Sequence, residues 1–223
     1  MNLDALNKYT WEKYWAGERC LLSCSYWGNF YTNILKNVFG KGFATTLITS
    51  RDGYSVCYFD EKDRRAFGEY RIGQMREHWP ENIYSLVTEL KWRADELIDI
   101  TTILGKQQIT GSEWKIFIEK FLGYIGWHIS PRNIIDNATP EEILQIRDIF
   151  TEVRLYTEPV YQKTEQFVTQ VAHQIAKKTG YIPLYIRSLM KEEIEGYFHN
   201  GFLPDEQLLA NRCADISFFR KLL

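Results

Sequence analysis

From residue 27 onward the apolar positions Trp27, Phe30, Tyr31, Ile34, Leu35 and Val38 recur at steps of 3, 1, 3, 1 and 3. That rhythm predicts a helix burying one wide face, from Glu18 to about Val38, closed by Gly40 and Gly42. Just upstream, Thr10 is placed to cap a short helix carrying Trp11, Tyr14 and Trp15, interrupted at Gly17. The pattern then changes. Residues 44–50 are rich in β-branched side chains, Arg51-Asp52-Gly53 reads as a turn, and residues 54–60 alternate again. Asp-Gly between two such runs is a strong local hairpin signal, so one β-hairpin is expected at about 44–60. A two-stranded hairpin is marginal in water and must pack on the helices or gain a third strand.

Everything after the hairpin reads as helical. A charged helix spans Glu61 to His78 and stops before Pro80, and a second runs from Pro80 to about Leu104. Ser112 is the expected cap of a third, ending near Ile125. Thr139-Pro140-Glu141-Glu142 combines an N-cap, a proline at the first helical position and a glutamate three residues on, which is a capping box. Ile143, Ile146, Phe150 and Val153 follow at helical steps, and Pro159 is expected to punctuate them. A further helix carries Phe167, Val171 and Ile175 up to Lys177-Lys178-Thr179-Gly180. Short helices are expected from Ser188 and from Pro204 to about Cys213. The fold class is mainly α: one helical domain over 1–223 with a small β-hairpin near the N-terminus.

Composition narrows the partners. With 27 basic and 29 acidic side chains the formal charge is 27 − 29 = −2, without the basic excess that nucleic acid or an anionic membrane surface demands. No apolar run approaches the roughly 18 residues that span a bilayer. The N-terminal residues Met1 to Asn7 lack a basic patch followed by an apolar stretch, so no secretory signal is expected. Cys20, Cys24, Cys57 and Cys213 are too scattered for a disulfide framework, and the expected setting is the cytoplasm. The distinctive number is 15% aromatic residues, from 7 Trp, 14 Tyr and 13 Phe.

Catalytic signatures are not visible. There is no phosphate-binding glycine loop, dinucleotide fingerprint or nucleophile elbow. Asp95 and Asp99, with Glu96 between them, set two carboxylates on one helical face, a pair that can hold Mg²⁺ against a diphosphate. The second acidic cluster such a site needs is missing, so a solvated face is the simpler reading and no metal is assigned. His78, His128, His173 and His199 stand apart in the sequence, and none is singled out. The best candidate binding surface is the N-terminal aromatic cluster, with Trp11, Trp15, Tyr26, Trp27 and Tyr31 as its substrate-binding residues. Trp and Tyr offer a flat apolar face with a polar handle. The competing reading is core packing at helical spacing.

The order of segments resembles the helical region that precedes the swivelling phosphohistidine domain of phosphoenolpyruvate-utilising enzymes, among them phosphoenolpyruvate synthase and the rifampicin phosphotransferases. Three stretches carry it. The first is Trp11-Glu12-Lys13-Tyr14 with Arg19 and Tyr26-Trp27-Gly28-Asn29-Phe30-Tyr31; the second is Tyr58-Phe59-Asp60 followed by a charged helix and Trp79-Pro80-Glu81. The third runs from Gln174 to Gly180, then Ile186 to Ile194, then Asn211-Arg212-Cys213. The resemblance implies an acceptor-binding or docking domain, at most one component of a phosphotransferase. Its partner would be a phosphohistidine-domain protein or a domain encoded downstream. The family's phosphohistidine loop does not occur here, so no catalytic residue and no cofactor is carried over. The alternative is a stand-alone helical binding protein whose aromatic cluster holds a small apolar ligand or a partner protein.

Overall fold

The first aromatic run is a strand, not a helix. In the computed structural model, which describes residues 3–51, 53–214 and 217–222, β1 (Trp11–Glu18) pairs antiparallel with β3 (Tyr54–Asp60). It supplies the third strand the hairpin needed. β3 pairs in turn with β2 (Thr45–Arg51), so the expected hairpin is present with Gly53 at φ 77° in its turn. Asp52, the other half of the expected Asp-Gly turn, lies outside the described residues. A fourth strand, β4 (Ser217–Leu222), adds to β2 from the far end of the chain and makes the order β1-β3-β2-β4. The register of β1 slips between Lys13 and Trp15, leaving Tyr14 as a bulge. A bulge re-aims side chains, and here Tyr14 and Trp15 both come to line one cavity.

α1 (Leu21–Asn29) continues through a π-helical turn (Phe30–Ile34) into α2 (Leu35–Phe39), closed by Gly40 at φ 79°. The sequence suggested one buried face, but Leu21 through Gly28 are all buried. This is a central helix, enclosed on every side. The sheet lies against it through β2 and β4, while α5 and α8 pack elsewhere on it. At the π turn the Leu35 N–H reaches back to the Phe30 carbonyl. The wider turn accompanies burial of two successive rings, Phe30 and Tyr31.

Helices hold the rest of the described chain: α3 (Glu61–Arg76), α4 (Glu81–Leu104), α5 (Gly111–Ile135), α6 (Pro140–Thr179), α7 (Pro183–Arg187), α8 (Lys191–Asn200) and α9 (Glu206–Ala214). α5 starts earlier than expected, because Thr110, rather than Ser112, forms a capping box with Glu113, and it runs on past Ile125 to Ile135. Pro159 does not interrupt α6. Pro159 and Leu155 are both exposed, so the carbonyl that proline deprives of a helical donor sits where water can serve it. α4 packs on both α5 and α6, and α3 lies on α5.

Phe59 is the junction between sheet and helices. Its ring stacks on Phe43 at 4.0 Å and 6°, and Tyr14 and Tyr31 each approach it at 5.0 Å. Asp60 then joins β3 to α3: its carboxylate accepts the Thr10 N–H at 3.0 Å and the Asp63 N–H at 3.4 Å. On the surface, Arg76 clamps Glu142 through two bonds of 2.6 and 2.8 Å, tying α3 to α6. These bonds hold the Glu142 carboxyl down at about 2.

Candidate functional site

Three of the five expected aromatic residues come together around one cavity. Trp15 from β1 meets Trp27 from α1 edge-on at 4.6 Å, and its indole N–H donates to the Tyr31 hydroxyl at 3.3 Å. Tyr14, Arg19, His128 and Tyr161 complete the wall of a cavity of about 140 Å³. An apolar cavity of about that volume accepts a benzene ring. Trp11 and Tyr26 lie elsewhere. The Trp11 indole donates to the Leu6 carbonyl at 3.0 Å, and its ring packs on Tyr9. Tyr26 is buried between α1, α5 and α8, where its hydroxyl accepts from Trp114 Nε1 at 3.0 Å and donates to Glu195 at 3.1 Å.

His128 lines this cavity and also two wider clefts. One, of about 450 Å³, lies between α5 and α6 and includes Arg132 and Arg154. The other, of about 790 Å³, runs along α6 and includes Arg19, Glu158, Glu165 and Arg187. Helical geometry explains the second lining. Arg154, Glu158, Tyr161 and Glu165 fall at i, i+4, i+7 and i+11 and so form one stripe on α6. On α5, Tyr124, His128 and Arg132 are spaced four apart and share a face.

Electrostatics follow from this placement. The Tyr161 hydroxyl stands 2.6 Å from His128 Nδ1. Burial, then the guanidinium charges of Arg19 and Arg154, pull the imidazole down to about 4, so His128 is neutral at pH 7. Burial likewise pushes the Tyr31 and Tyr161 phenols well up. Arg19 lies 4.5 Å from the Tyr161 ring centroid and 5.9 Å from that of Trp27, a cation resting on two walls of the cavity. Arg132 lies 4.4 Å over Tyr14 and donates to the Tyr14 carbonyl. Glu165 accepts the Cys20 N–H at 3.2 Å through Oε2, while burial raises its carboxyl. Four buried polar atoms of these lining residues have no hydrogen-bond partner among the described residues: Trp27 Nε1, Arg19 Nε, Arg187 Nε and Glu165 Oε1. Such atoms are rare in folded proteins, and bound solutes or water commonly satisfy them.

The other candidates disperse. Asp95 accepts the Tyr156 hydroxyl at 2.6 Å, and among the described residues no three His, Cys, Asp or Glu side chains gather as a metal site. Cys20, Cys24 and Cys57 are buried, Cys213 is half-buried, and none of the four is in a disulfide. Among the described residues no helix is long and apolar enough to cross a membrane. His128, Arg154 and Tyr161 were not marked by the sequence pattern, although the α6 stripe and the α5 spacing both point to them. No family model, curated protein or solved structure matches this chain.

Proposed function

We propose that this protein binds a small ring-bearing molecule in the cavity walled by Trp15, Trp27, Tyr31 and Tyr161. The observation that supports the reading is a ring-sized space of about 140 Å³ among aromatic side chains that otherwise fill the core tightly. Aromatic walls favour a planar ligand through edge-to-face and offset contacts. Isothermal titration with the neutral probe 2-phenylethanol tests it. Saturable one-site binding is expected, and Ala16 of β1 also lines the cavity, so filling it by Ala16→Phe should abolish that binding in a variant that still melts cooperatively. Absence of heat at any probe concentration overturns the reading.

A second reading keeps the resemblance to the acceptor-binding region of phosphoenolpyruvate-utilising enzymes. The ring would then be the acceptor of a phosphoryl group delivered by a separate phosphohistidine-bearing partner. The order of the three matching sequence stretches supports it. Transfer of label from a phosphorylated histidine domain to a bound ring alcohol, dependent on this protein, is the expected result. Four cysteines without a disulfide support a reducing, cytoplasmic setting.

A further inference from the structure

The ring cavity and the 450 Å³ cleft between α5 and α6 share His128 and Arg132. Neither has a carboxylate in its lining. The charged and titratable groups around the pair are Arg19 and Tyr161 on the ring side and Arg154 on the cleft side, besides Tyr14 and Tyr31 in the walls. The acids Glu18, Glu158 and Glu165 line the third cleft, which His128, Arg154, Arg19 and Tyr161 border as well. Asp136 approaches Arg132 Nε at 3.7 Å, but it is also held by Arg64 at 2.7 Å. Arg154 makes no hydrogen bond or ion pair among the described residues, and neither does Nε2 of His128. Among the described residues an unpaired cation, a half-compensated one and an imidazole nitrogen without a hydrogen bond therefore line a cleft next to an aromatic box.

We infer that the ligand is a ring carrying an anionic group, a carboxylate or a phosphate, with the ring in the aromatic cavity and the anion in the cleft against Arg154, Arg132 and His128. This rests on the ring-binding reading and adds the charge of the ligand to it. Guanidinium groups bind carboxylate and phosphate through paired, charge-assisted hydrogen bonds. In the tautomer where the Tyr161 phenol donates to Nδ1, the neutral imidazole carries its proton on Nε2 and supplies a third donor. An anion placed there also favours the imidazolium, so binding and His128 protonation are coupled.

Four probes of one size test the charge: phenylacetate, phenyl phosphate, neutral 2-phenylethanol and cationic 2-phenylethylamine, titrated at pH 7.5 and fixed ionic strength. The expected order is anion above alcohol by at least about tenfold in Kd, with the amine weakest. Arg154→Gln, at an exposed position, should bring the better anion to the alcohol's affinity and leave the alcohol unchanged. Saturation with that anion should raise the imidazole pKa of His128 by NMR. If the alcohol binds as tightly as both anions, or if Arg154→Gln weakens alcohol and anion equally, the inference of an anion site is overturned while ring binding stands. If no probe binds, the ring-binding reading itself fails, and the anion site with it.

Discussion

The Tyr161 hydroxyl stands 2.6 Å from Nδ1 of His128, bridging α6 to α5 at the point where three cavities meet. That one contact fixes the imidazole ring, and Tyr161 also carries the Arg19 guanidinium on its face. Tyr161→Phe keeps the ring and removes the hydroxyl. It should lower stability by about 1 kcal/mol; urea denaturation measures this.

The pH dependence of stability has a definite sign. In the unfolded chain an imidazole takes up its proton near 6.5, whereas His128 in the fold does so near 4. Between those values the unfolded state binds more protons, so the contribution is complete above pH 6.5 and is lost as pH falls toward 4. At most about 3 kcal/mol is at stake. Urea denaturation of wild type and His128→Gln across pH 4 to 7.5 isolates it. The difference between the two should change steadily over that window and level off above pH 6.5.

Two glycines should respond to alanine with opposite signs. A Cβ on Gly126 of α5 would stand 2.8 Å from Phe30 Cζ, where the buried π turn packs against the helix. Gly126→Ala should cost about 1–3 kcal/mol through overpacking. Gly73 of α3 is exposed and has nothing within 4 Å of the added carbon. Gly73→Ala should stabilise by about 0.5–1 kcal/mol, since alanine has the better helix propensity. Thermal melts of the two variants check both.

Asp60 serves two elements with one carboxylate, capping α3 and holding the entry to β1 through Thr10. Asp60→Ala should cost about 1–2 kcal/mol, and Asp60→Asn should recover most of it. Chemical denaturation of the pair distinguishes capping from charge.

The helices after the hairpin were legible because their caps and apolar spacing agree, as at Thr139-Pro140-Glu141-Glu142 and at Gly180. β1 was not legible, for a physical reason. Trp11, Tyr14 and Trp15 sit at i, i+3 and i+4, the spacing of a helix face, and the bulge at Tyr14 removes the alternation that marks a strand. The candidate site was half legible. Its aromatic side is written in residues 15–31, but Arg154 and Tyr161 lie on either side of Pro159. Reading that proline as a break cuts the stripe of Arg154, Glu158, Tyr161 and Glu165 in two. Once α6 runs through it, the polar residues of one face become the rim of a cleft.

The most direct test of ring binding is the set of seven tryptophan indole N–H resonances recorded with and without 2-phenylethanol. Trp15 and Trp27 line the cavity, whereas Trp11 packs on Tyr9 and Trp92 is exposed on α4. Saturable shifts of the Trp15 and Trp27 signals are expected, with those of Trp11 and Trp92 unmoved. Signals that stay in place, or shifts spread evenly over all seven, would contradict ring binding.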